Sequence, residues 1–340
     1  MQFNLAIEKV KNALSSRDYI ASLTHYHFIN GQVYATNGAM TASCPVDVQG
    51  QYVIPAEELD KALNIFGNDA TFLWQEDTLT IKKARRRITI RLLKPETVPL
   101  IEPVPEKDTW RVPSEFISQI KKIRPFISDD ASKPWALTAW LHKVEGSDLV
   151  WTATNNISVV EVDAVPSYPK TAHIPETDCQ IPNFALDFVI QRGTGLKSIG
   201  STPNKASFFF EDGSQMTTQL FSQKMPDQVS NIVQNCYDEI EDAFFLNDDW
   251  RSAYSSIVQL SPEEISLSAT TMTAGRRQAE MVVEVCSPVP RDETKKASFW
   301  NPKFLTPIVD AVTHIDFGAY PSPSRFKGDG IRGLTVGKLV

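Results

Sequence analysis

The side chains with the strongest chemical character fall into few groups in this sequence. The densest cationic run is KKARRR at residues 82–87, and such runs bind the phosphate groups of nucleic acids or form a solvent-exposed hairpin tip. His25 and His27 are one residue apart, so a strand would place both imidazoles on one face, as in a metal pair. No third ligand stands near them in the sequence, and we therefore predict no metal site.

Paired carboxylates are the other groups that could act, as acids, bases or metal ligands. They are Glu57-Glu58, Asp129-Asp130 and Asp248-Asp249. All three pairs stand at predicted helix starts or in loops, where capping and the helix dipole explain acidic side chains. No order of Ser, His and Asp singles out a nucleophile. We therefore predict no catalytic residue, no cofactor and no enzyme activity.

An internal repeat positions these groups. The triplet Ala-Thr-Asn occurs at 35–37 and again at 153–155, and a weaker copy, Ala-Thr-Thr, is at 269–271. Each triplet follows a strand-like segment, and the intervals are nearly equal and have the size of a small domain. The repeat predicts three tandem domains, and prolines clustered before Trp110 support the first boundary. The predicted domains are residues 1–103, 104–228 and 229–340.

Helical and strand patterns accompany each copy. Apolar stripes at helical spacing precede the triplets. They are Phe3, Ile7, Val10 and Leu14, then Phe116, Ile120, Ile123 and Ile127, then Trp250, Tyr254 and Ile257. A proline suited to the first turn of a second helix follows each triplet, at Pro55, Pro182 and Pro302. With the alternating segments between them, these patterns predict an α+β fold in which each unit is a sheet with two helices on one face.

The third domain is predicted to be one strand shorter than the other two. Only residues 261–264 lie between Leu260 and Ile265, whereas the first two copies have strand-like segments at 21–29 and 134–143 in that place.

The bulk properties exclude several classes of protein. No apolar run approaches the roughly 20 residues of a membrane-spanning helix, and the first residues lack the pattern of a signal peptide. The cysteines stand far apart, in no metal or redox spacing, which favours a cytoplasmic protein. The net charge of −7 argues against coating nucleic acid by overall attraction, and leaves open basic groups gathered on one surface.

Several segments share their order and spacing with one known family. Residues 146–155, GSDLVWTATN, resemble its G-x-x-L-x-x-x-A-T-D strand and turn, and residues 225–227, MPD, resemble its F-P-D. Residues 301–305, NPKFL, are similar to its N-P-x-Y-L/F-L helix start, and residues 79–90 to its basic hairpin. The family is the bacterial DNA polymerase III β sliding clamp, with its phage-encoded relatives, and the likeness covers nearly the whole chain.

The resemblance implies the DNA clamp fold in a toroidal assembly. Two chains would form a homodimeric ring with strands outside and helices lining the hole. Such a ring encircles double-stranded DNA and tethers a replicative DNA polymerase, without bond chemistry. The polymerase and the clamp loader would bind through short apolar peptides, in a pocket between the second and third domains. The chain end, residues 336–340, departs from the family's Met-Pro-Met-Arg-Leu, so the resemblance does not carry the family's peptide specificity over to this chain.

The resemblance also directs the choice of site residues. Cations on the helix sides away from the apolar stripes, in flanking loops and on the hairpin are the predicted DNA contacts. They are Lys9, Lys11, Arg17, Arg85, Arg86, Lys121, Lys122, Lys133, Arg192, Lys197 and Lys303. The positions that match the family's peptide pocket are Leu137, Thr154, Asn156, Val159, Val233, Val336, Leu339 and Val340. The helix after Pro55 carries Glu57 and Asp60 beside Lys61, which is a poor surface for phosphate.

Two other functions remain open from the sequence. The altered chain end and the short third domain favour a clamp-fold scaffold or regulatory protein that no longer encircles DNA. A DNA nuclease with a repeated β-rich fold would need a cluster of acidic metal ligands, and the sequence offers none that can be singled out.

Overall fold

The chain, in a computed structural model, forms two compact units. Unit 1 is Met1–Ile117 with Phe184–Leu220, and unit 2 is Ser118–Asn183 with Phe221–Val340. The structure describes residues 2–16, 20–67, 69–93, 98–144, 149–166, 178–234, 243–260, 262–276, 279–288, 290–292 and 294–339.

The helices and strands follow the predicted copies in order. The first copy has α1 (Phe3–Val10), β1 (His25–Ile29), β2 (Gln32–Thr36), β3 (Met40–Pro45), β4 (Gln51–Pro55), α2 (Ala56–Phe66), β5 (Thr71–Trp74), β6 (Thr78–Lys83) and β7 (Arg86–Arg91). The second has β8 (Thr109–Arg111), α3 (Phe116–Ile123), β9 (Thr138–Lys143), β10 (Leu149–Thr154), β11 (Ser158–Asp163), β12 (Asp178–Pro182), α4 (Asn183–Arg192), β13 (Leu196–Thr202), β14 (Lys205–Phe210) and β15 (Gln215–Gln219).

The third copy completes the chain. It has α5 (Asp227–Gln234), β16 (Phe244–Phe245), α6 (Asp248–Val258), β17 (Ile265–Leu267), β18 (Thr271–Arg276), β19 (Ala279–Glu284), β20 (Ser298–Trp300), α7 (Pro302–Ala311), β21 (His314–Ile315), β22 (Ser324–Gly328) and β23 (Ile331–Thr335). Single 3-10 turns lie at Lys11–Ala13, Ala21–Thr24, Glu106–Asp108, Arg124–Phe126, Pro134–Leu137 and Phe317–Ala319. None of the described helices is long and apolar enough to cross a membrane.

The same order of four strands occurs in each copy. It is β4-β1-β2-β3 in the first, β12-β9-β10-β11 in the second and β20-β17-β18-β19 in the third. The third copy therefore has all four strands, and the expected missing strand is present as β17. The reason is that the triplet at 269–271 lies at the turn between β17 and β18, one strand earlier than in the other copies. The domain boundaries at 103 and 228 stay a prediction.

Two strand pairs join neighbouring copies, and we call them seams. The first seam pairs β3 with β15, including Ala42 opposite Met216. The second seam pairs β11 with β23, including Val160 opposite Gly333. Each seam lies inside one eight-stranded sheet, so each of these sheets combines the first half of one copy with the second half of the next. A side chain at Gly333 would put its Cβ 2.3 Å from the carbonyl oxygen of Val159, so the second seam requires glycine there.

The helices begin where the sequence supplies caps and prolines. The side chain of Asn247 accepts a hydrogen bond from the backbone amide of Trp250 at 2.8 Å, and Asn301 accepts one from Lys303 at 2.9 Å. Pro302 occupies the first turn of α7. Most residues of the predicted stripes are buried: Phe116, Ile120 and Ile123 are fully covered, whereas Phe3 and Leu14 at the ends of the first stripe are half-buried. Helix α1 packs on β2 and β3, so burial of its stripe holds it against the sheet.

Candidate nucleic-acid and peptide surfaces

The predicted cations on α3 have different surroundings. Lys121 is exposed, whereas Lys122 is half-buried and donates to the backbone carbonyl oxygen of Asp329 at 3.2 Å. The orientation of both lysines follows from the apolar stripe of α3. Because Phe116, Ile120 and Ile123 are buried, positions 121 and 122 lie on the opposite side of the helix. Lys121 is therefore available to a phosphate group, while Lys122 already contacts the turn between β22 and β23.

Lys9 and Arg192 are also engaged within the fold. Both form ion pairs with Asp212, at 2.9 Å for Arg192, and both side chains are only 13% exposed. Arg192 also lies 4.7 Å from the ring centre of Phe210 and donates to Ser214. Burial by itself would raise the pKa of Asp212, but hydrogen bonds from Lys9, Ser214 and Arg192 hold this pKa well below its ordinary value.

The other predicted DNA residues lie on separate elements. Lys11 pairs with Glu8 at 2.5 Å, and Lys133 is exposed and donates to the side-chain oxygen of Asn156 at 3.1 Å. Lys197 lies exposed on β13, five residues after the end of α4 at Arg192. Lys303 is exposed at the start of α7. Arg17 falls outside the described residues.

Arg85 and Arg86 stand at the tip of the β6–β7 hairpin, and both are exposed. Lys83 and Arg86 are paired across the hairpin, and Ala84 in the turn has a φ of 53°, as tight hairpin turns require. The tip therefore projects basic side chains into solvent. This agrees with the alternative in which residues 82–87 form a solvent-exposed hairpin tip.

The helices of the first copy offer an acidic and apolar outer face. Glu57 and Glu58 are exposed on α2, and Ile65 on the same helix is 56% exposed. On α1, Glu8 is exposed and Leu5 is 48% exposed. The exposed carboxylates would repel phosphate, in agreement with the prediction that this face is a poor surface for DNA. Asp60 instead accepts hydrogen bonds from Tyr26, and burial raises the pKa of the Asp60 carboxyl.

An apolar cavity of about 200 Å³ lies in unit 2, beside the last residues of the chain. It is lined by Ile157, Trp300, Asn301, Phe304, Leu305, Thr335, Val336, Gly337 and Lys338. Of the predicted pocket residues that the structure describes, Val336 is the one in this lining. The hydroxyl groups of Ser158 and Thr335 are 2.8 Å apart behind it, across the second seam.

Other predicted pocket residues have different surroundings. Leu137 and Val159 are half-buried, Asn156 is exposed, and Thr154 is buried, with its hydroxyl accepting from the amide of Asn156. Leu339 is 76% exposed. Of the remaining two, Val233 has its side chain outside the described part of the chain, and so has the whole of Val340.

The chain end is held in place at the cavity. The amide of Val336 donates to the carbonyl oxygen of Ile157 at 3.1 Å, and that of Lys338 donates to Phe299 at 2.8 Å. Tyr320 donates its hydroxyl to the carbonyl oxygen of Lys338 at 2.8 Å. The Lys338 side chain pairs with Glu264 at 2.6 Å, and this pair raises the pKa of Lys338. Residues 336–338 of the segment that departs from the resembled family are therefore held by several hydrogen bonds.

Sequence reasoning missed most of this lining. Asn301, Phe304 and Leu305 belong to the NPKFL segment that carried the resemblance, so a signal for them was present. Ile157 lies between predicted residues Asn156 and Val159, in the turn before β11. Trp300 has no such signal, because only the pairing of β20 with β17 brings it to the cavity.

The histidine pair is part of the fold. The Nε2 atom of His27 is 2.7 Å from the carbonyl oxygen of Ser22, to which it donates, and the ring is 1% exposed. Within the described ranges, no group of three His, Cys, Asp or Glu residues could hold a metal ion.

One four-strand order occurs three times along the chain. No protein-family model and no curated protein sequence matches the chain. Solved structures do match: the β sliding clamp of Caulobacter crescentus is 18% identical with a TM-score of 0.79, covering 100% of this chain and 97% of that chain. The β clamp of Helicobacter pylori, solved with a DNA ligase peptide, is 17% identical with a TM-score of 0.74, covering 99% and 97%.

A third solved structure also matches the chain. The β subunit from the DNA polymerase of Streptococcus pyogenes is 13% identical with a TM-score of 0.75, covering 99% of this chain and 98% of that chain. The chain thus has the fold of the bacterial β sliding clamps along its full length, and the predicted fold class is confirmed.

Proposed function

We propose that this chain is a DNA polymerase processivity factor, a sliding clamp that closes around duplex DNA as a homodimer. The observation that carries the proposal is the repetition of the seam. In both seams the end strand of the four-strand order of one copy, β3 or β11, pairs with the last strand of the next copy. The corresponding strands that remain are β19 and β7, and each has a single strand partner among the described residues.

Pairing of β19 with β7 of a second chain would form two more seams and close the assembly. The registers of the internal seams predict that Val282 faces Arg87, with Glu280 facing Thr89 and Glu284 facing Arg85. Glu280, Val282 and Glu284 are exposed on one face of β19, and Arg87 and Arg91 are exposed on β7. Carboxylates on one edge and guanidinium groups on the other attract each other as cross-strand and diagonal neighbours.

This arrangement gives the basic hairpin a different role from the one predicted. Arg85 and Arg86 would lie at the junction between chains, beside Glu284, where they would contribute to assembly more than to DNA binding. In the second seam, the position that corresponds to Glu284 is Asp163, and the Cβ of a residue at Gly330 would be 3.3 Å from its Oδ2 atom. That closeness supports contact between Glu284 and the hairpin tip.

For DNA contact, the proposal relies on few cations. Lys121 and Lys303 are exposed on the helices, and Lys133 and Lys197 are exposed outside them. Each phosphate contact adds about −0.9 to the slope of log affinity against log salt concentration, so a handful is enough for a ring that is held by closure. A weak, water-exchanging contact also lets the ring slide.

The partner site in this proposal is the cavity beside the chain end. A short peptide from a replicative polymerase or a clamp loader would insert an apolar side chain between Phe304, Leu305 and Val336. Buried apolar anchors contribute most of the affinity in such contacts. Loss of peptide affinity in Phe304→Ala, measured by calorimetry, tests this assignment, and unchanged affinity contradicts it. The proposed site of action is the cytoplasm.

A retention assay tests the ring. The protein is loaded on nicked circular DNA, and we expect it to stay bound until a restriction enzyme linearises the circle. Native mass should give a dimer at micromolar concentration. Lys121→Glu should shorten residence and reduce the salt slope without lowering the melting temperature, with Lys107→Glu as the control. Equal retention on circular and linear DNA would contradict encirclement.

A scaffold that has lost encirclement is the second candidate. The acidic face with Glu57 and Glu58 favours it, because those side chains repel phosphate. A monomer with no retention on circular DNA, yet with intact peptide binding, would support this role over the first.

A further inference from the structure

The three copies differ at one strand edge. In the second copy β8 pairs with the outer side of β13, and in the third copy β16 pairs with the outer side of β21. The corresponding strand of the first copy is β5, because Phe72 pairs with Ile81 as Ile199 pairs with Phe208 and Ile315 with Phe326. No described strand pairs with the outer edge of β5.

In the other two copies the added strand carries an aromatic residue that packs against the helix of the apolar stripe, α3 or α6. The ring centre of Trp110 is 5.8 Å from that of Phe116, and the ring centre of Phe244 is 6.2 Å from that of Trp250, both edge to face. Phe116 and Trp250 are 0% exposed as a result, and Ile199 and Ile315 beneath the strands are 1% and 0% exposed.

The first copy leaves the equivalent side chains partly open. Phe3 on α1 contacts Phe72 with ring centres 4.5 Å apart, and Trp74 at 5.9 Å. All three side chains are only half-buried, and the intervening Leu73 is 42% exposed. An aromatic cluster at an open strand edge is a surface that a further strand would cover.

The hairpin fixes which backbone groups face this edge. The amide of Gln75 donates to the carbonyl oxygen of Thr78 at 2.9 Å, which closes a two-residue turn. Hydrogen-bonded and non-hydrogen-bonded residue pairs alternate along an antiparallel ladder, so the amide and carbonyl groups of Leu73 bond to β6. The amide and carbonyl groups of Phe72 and Trp74 consequently point to the open side.

The charge of the three-stranded sheet indicates which kind of strand could be added at the edge of β5. The sheet face away from α1 carries Lys82, Arg87 and Arg91, all exposed. The strands β5, β6 and β7 contain no carboxylate. An added strand would place alternate side chains on this face, next to Thr71 and near Lys82, where an acidic residue is attracted.

We propose that the edge of β5 receives an extended, acidic segment of a partner protein as a fourth strand. One aromatic side chain of that segment covers Phe3 and Phe72, as Trp110 and Phe244 cover their helices, and an acidic side chain lies beside Lys82. The site is on the opposite side of the three-stranded sheet from β7, so it does not depend on ring closure.

Two peptides copied from this chain serve as probes. One is AFFLNDD, residues 243–249, which is aromatic and acidic, and the other is KDTWRVP, residues 107–113, which is aromatic and basic. We expect AFFLNDD to bind the intact protein and to slow hydrogen exchange at Phe72 and Trp74. KDTWRVP should bind at least fivefold more weakly. A version of AFFLNDD with Phe244→Ser and Phe245→Ser should not protect these amides.

The charge contact is tested with Lys82→Glu, and with Lys107→Glu as the matched control. Lys82→Glu should weaken AFFLNDD at least fivefold and strengthen KDTWRVP, whereas the control should change neither. No slowing of exchange at millimolar peptide, or equal protection by the serine version, would overturn the proposal. So would protection of Phe72 and Trp74 that rises with protein concentration alone, because a second copy would then be the occupant.

Discussion

The two seams share one backbone arrangement and differ in the side chains that hold it. At the second seam, Glu161 faces Arg332, and the guanidinium donates to the carboxylate at 2.6 Å and 3.0 Å. The same position of the first seam has Ser43 facing Gln215, both uncharged. The first seam is instead held from its helix side, where Lys9 and Arg192 pair with Asp212.

This difference bears on how each edge finds its own partner. When the proposed junction is included, three similar edges, β3, β11 and β19, would choose among three similar strands, β15, β23 and β7. The first seam has no charged cross-strand pair, the second seam has one, and the proposed junction has several charged side chains. A strand paired with the wrong edge would therefore bury a charge without its partner. We infer that the side chains of the seams specify pairing as well as stabilise it.

The largest effect is expected at the second seam. Arg332→Ala leaves Glu161, which is 4% exposed, without its guanidinium, so the free energy of unfolding should fall by about 3 kcal/mol. Chemical denaturation measures this, with Lys327→Ala on the neighbouring strand as the control. A loss below about 1 kcal/mol would show that the pair contributes little beyond the backbone pairing.

The proposed junction between chains extends the comparison to a third edge. Glu280→Arg with Glu284→Arg should raise the dimer dissociation constant at least tenfold, or about 1.4 kcal/mol, because like charges would face each other. Adding Arg87→Glu and Arg91→Glu should restore the dimer. Analytical ultracentrifugation measures both, and Asp310→Arg is the control. Failure of the reversed charges to restore association would place the junction elsewhere.

The smallest effect is expected at the first seam, and it depends on pH. The pKa of Asp212 is held below its ordinary value of 3.8, so its contribution to stability is present above about pH 4 and is lost as pH falls further. Asp212→Asn should therefore lower the free energy of unfolding by about 1 kcal/mol at neutral pH. The difference from the unchanged protein should shrink below pH 4. A constant difference across that range would exclude the carboxylate as its source.

Much of the fold could be predicted from the sequence, because the spacing of apolar residues indicates the helices and strands. The stripe at Phe116, Ile120 and Ile123 is buried as predicted, and each copy of the repeat contains the same order of four strands. The third triplet misled the strand count, because a short polar triplet suits a turn after either of two neighbouring strands. Only the strand pairing distinguishes the two positions.

The residues that pair with the predicted cations were harder to predict from the sequence. Lys9 and Asp212 are 203 positions apart, and nothing local in either segment indicates that a seam joins them. An amphipathic pattern shows that a lysine lies opposite the buried stripe, but does not distinguish solvent from a neighbouring turn. For the same reason the contact of Lys122 with Asp329 could not be predicted, whereas the exposure of Lys121 could.

The first seam also has a consequence for synthesis of the chain. Strand β3 ends at Pro45, but its partner β15 begins only at Gln215, so a ribosome must add most of two copies before the pair can form. During that interval β3 is an open edge, available to other nascent chains. Translation rate and chaperone supply should therefore influence the yield of folded protein more than the stability of the finished sheet would suggest.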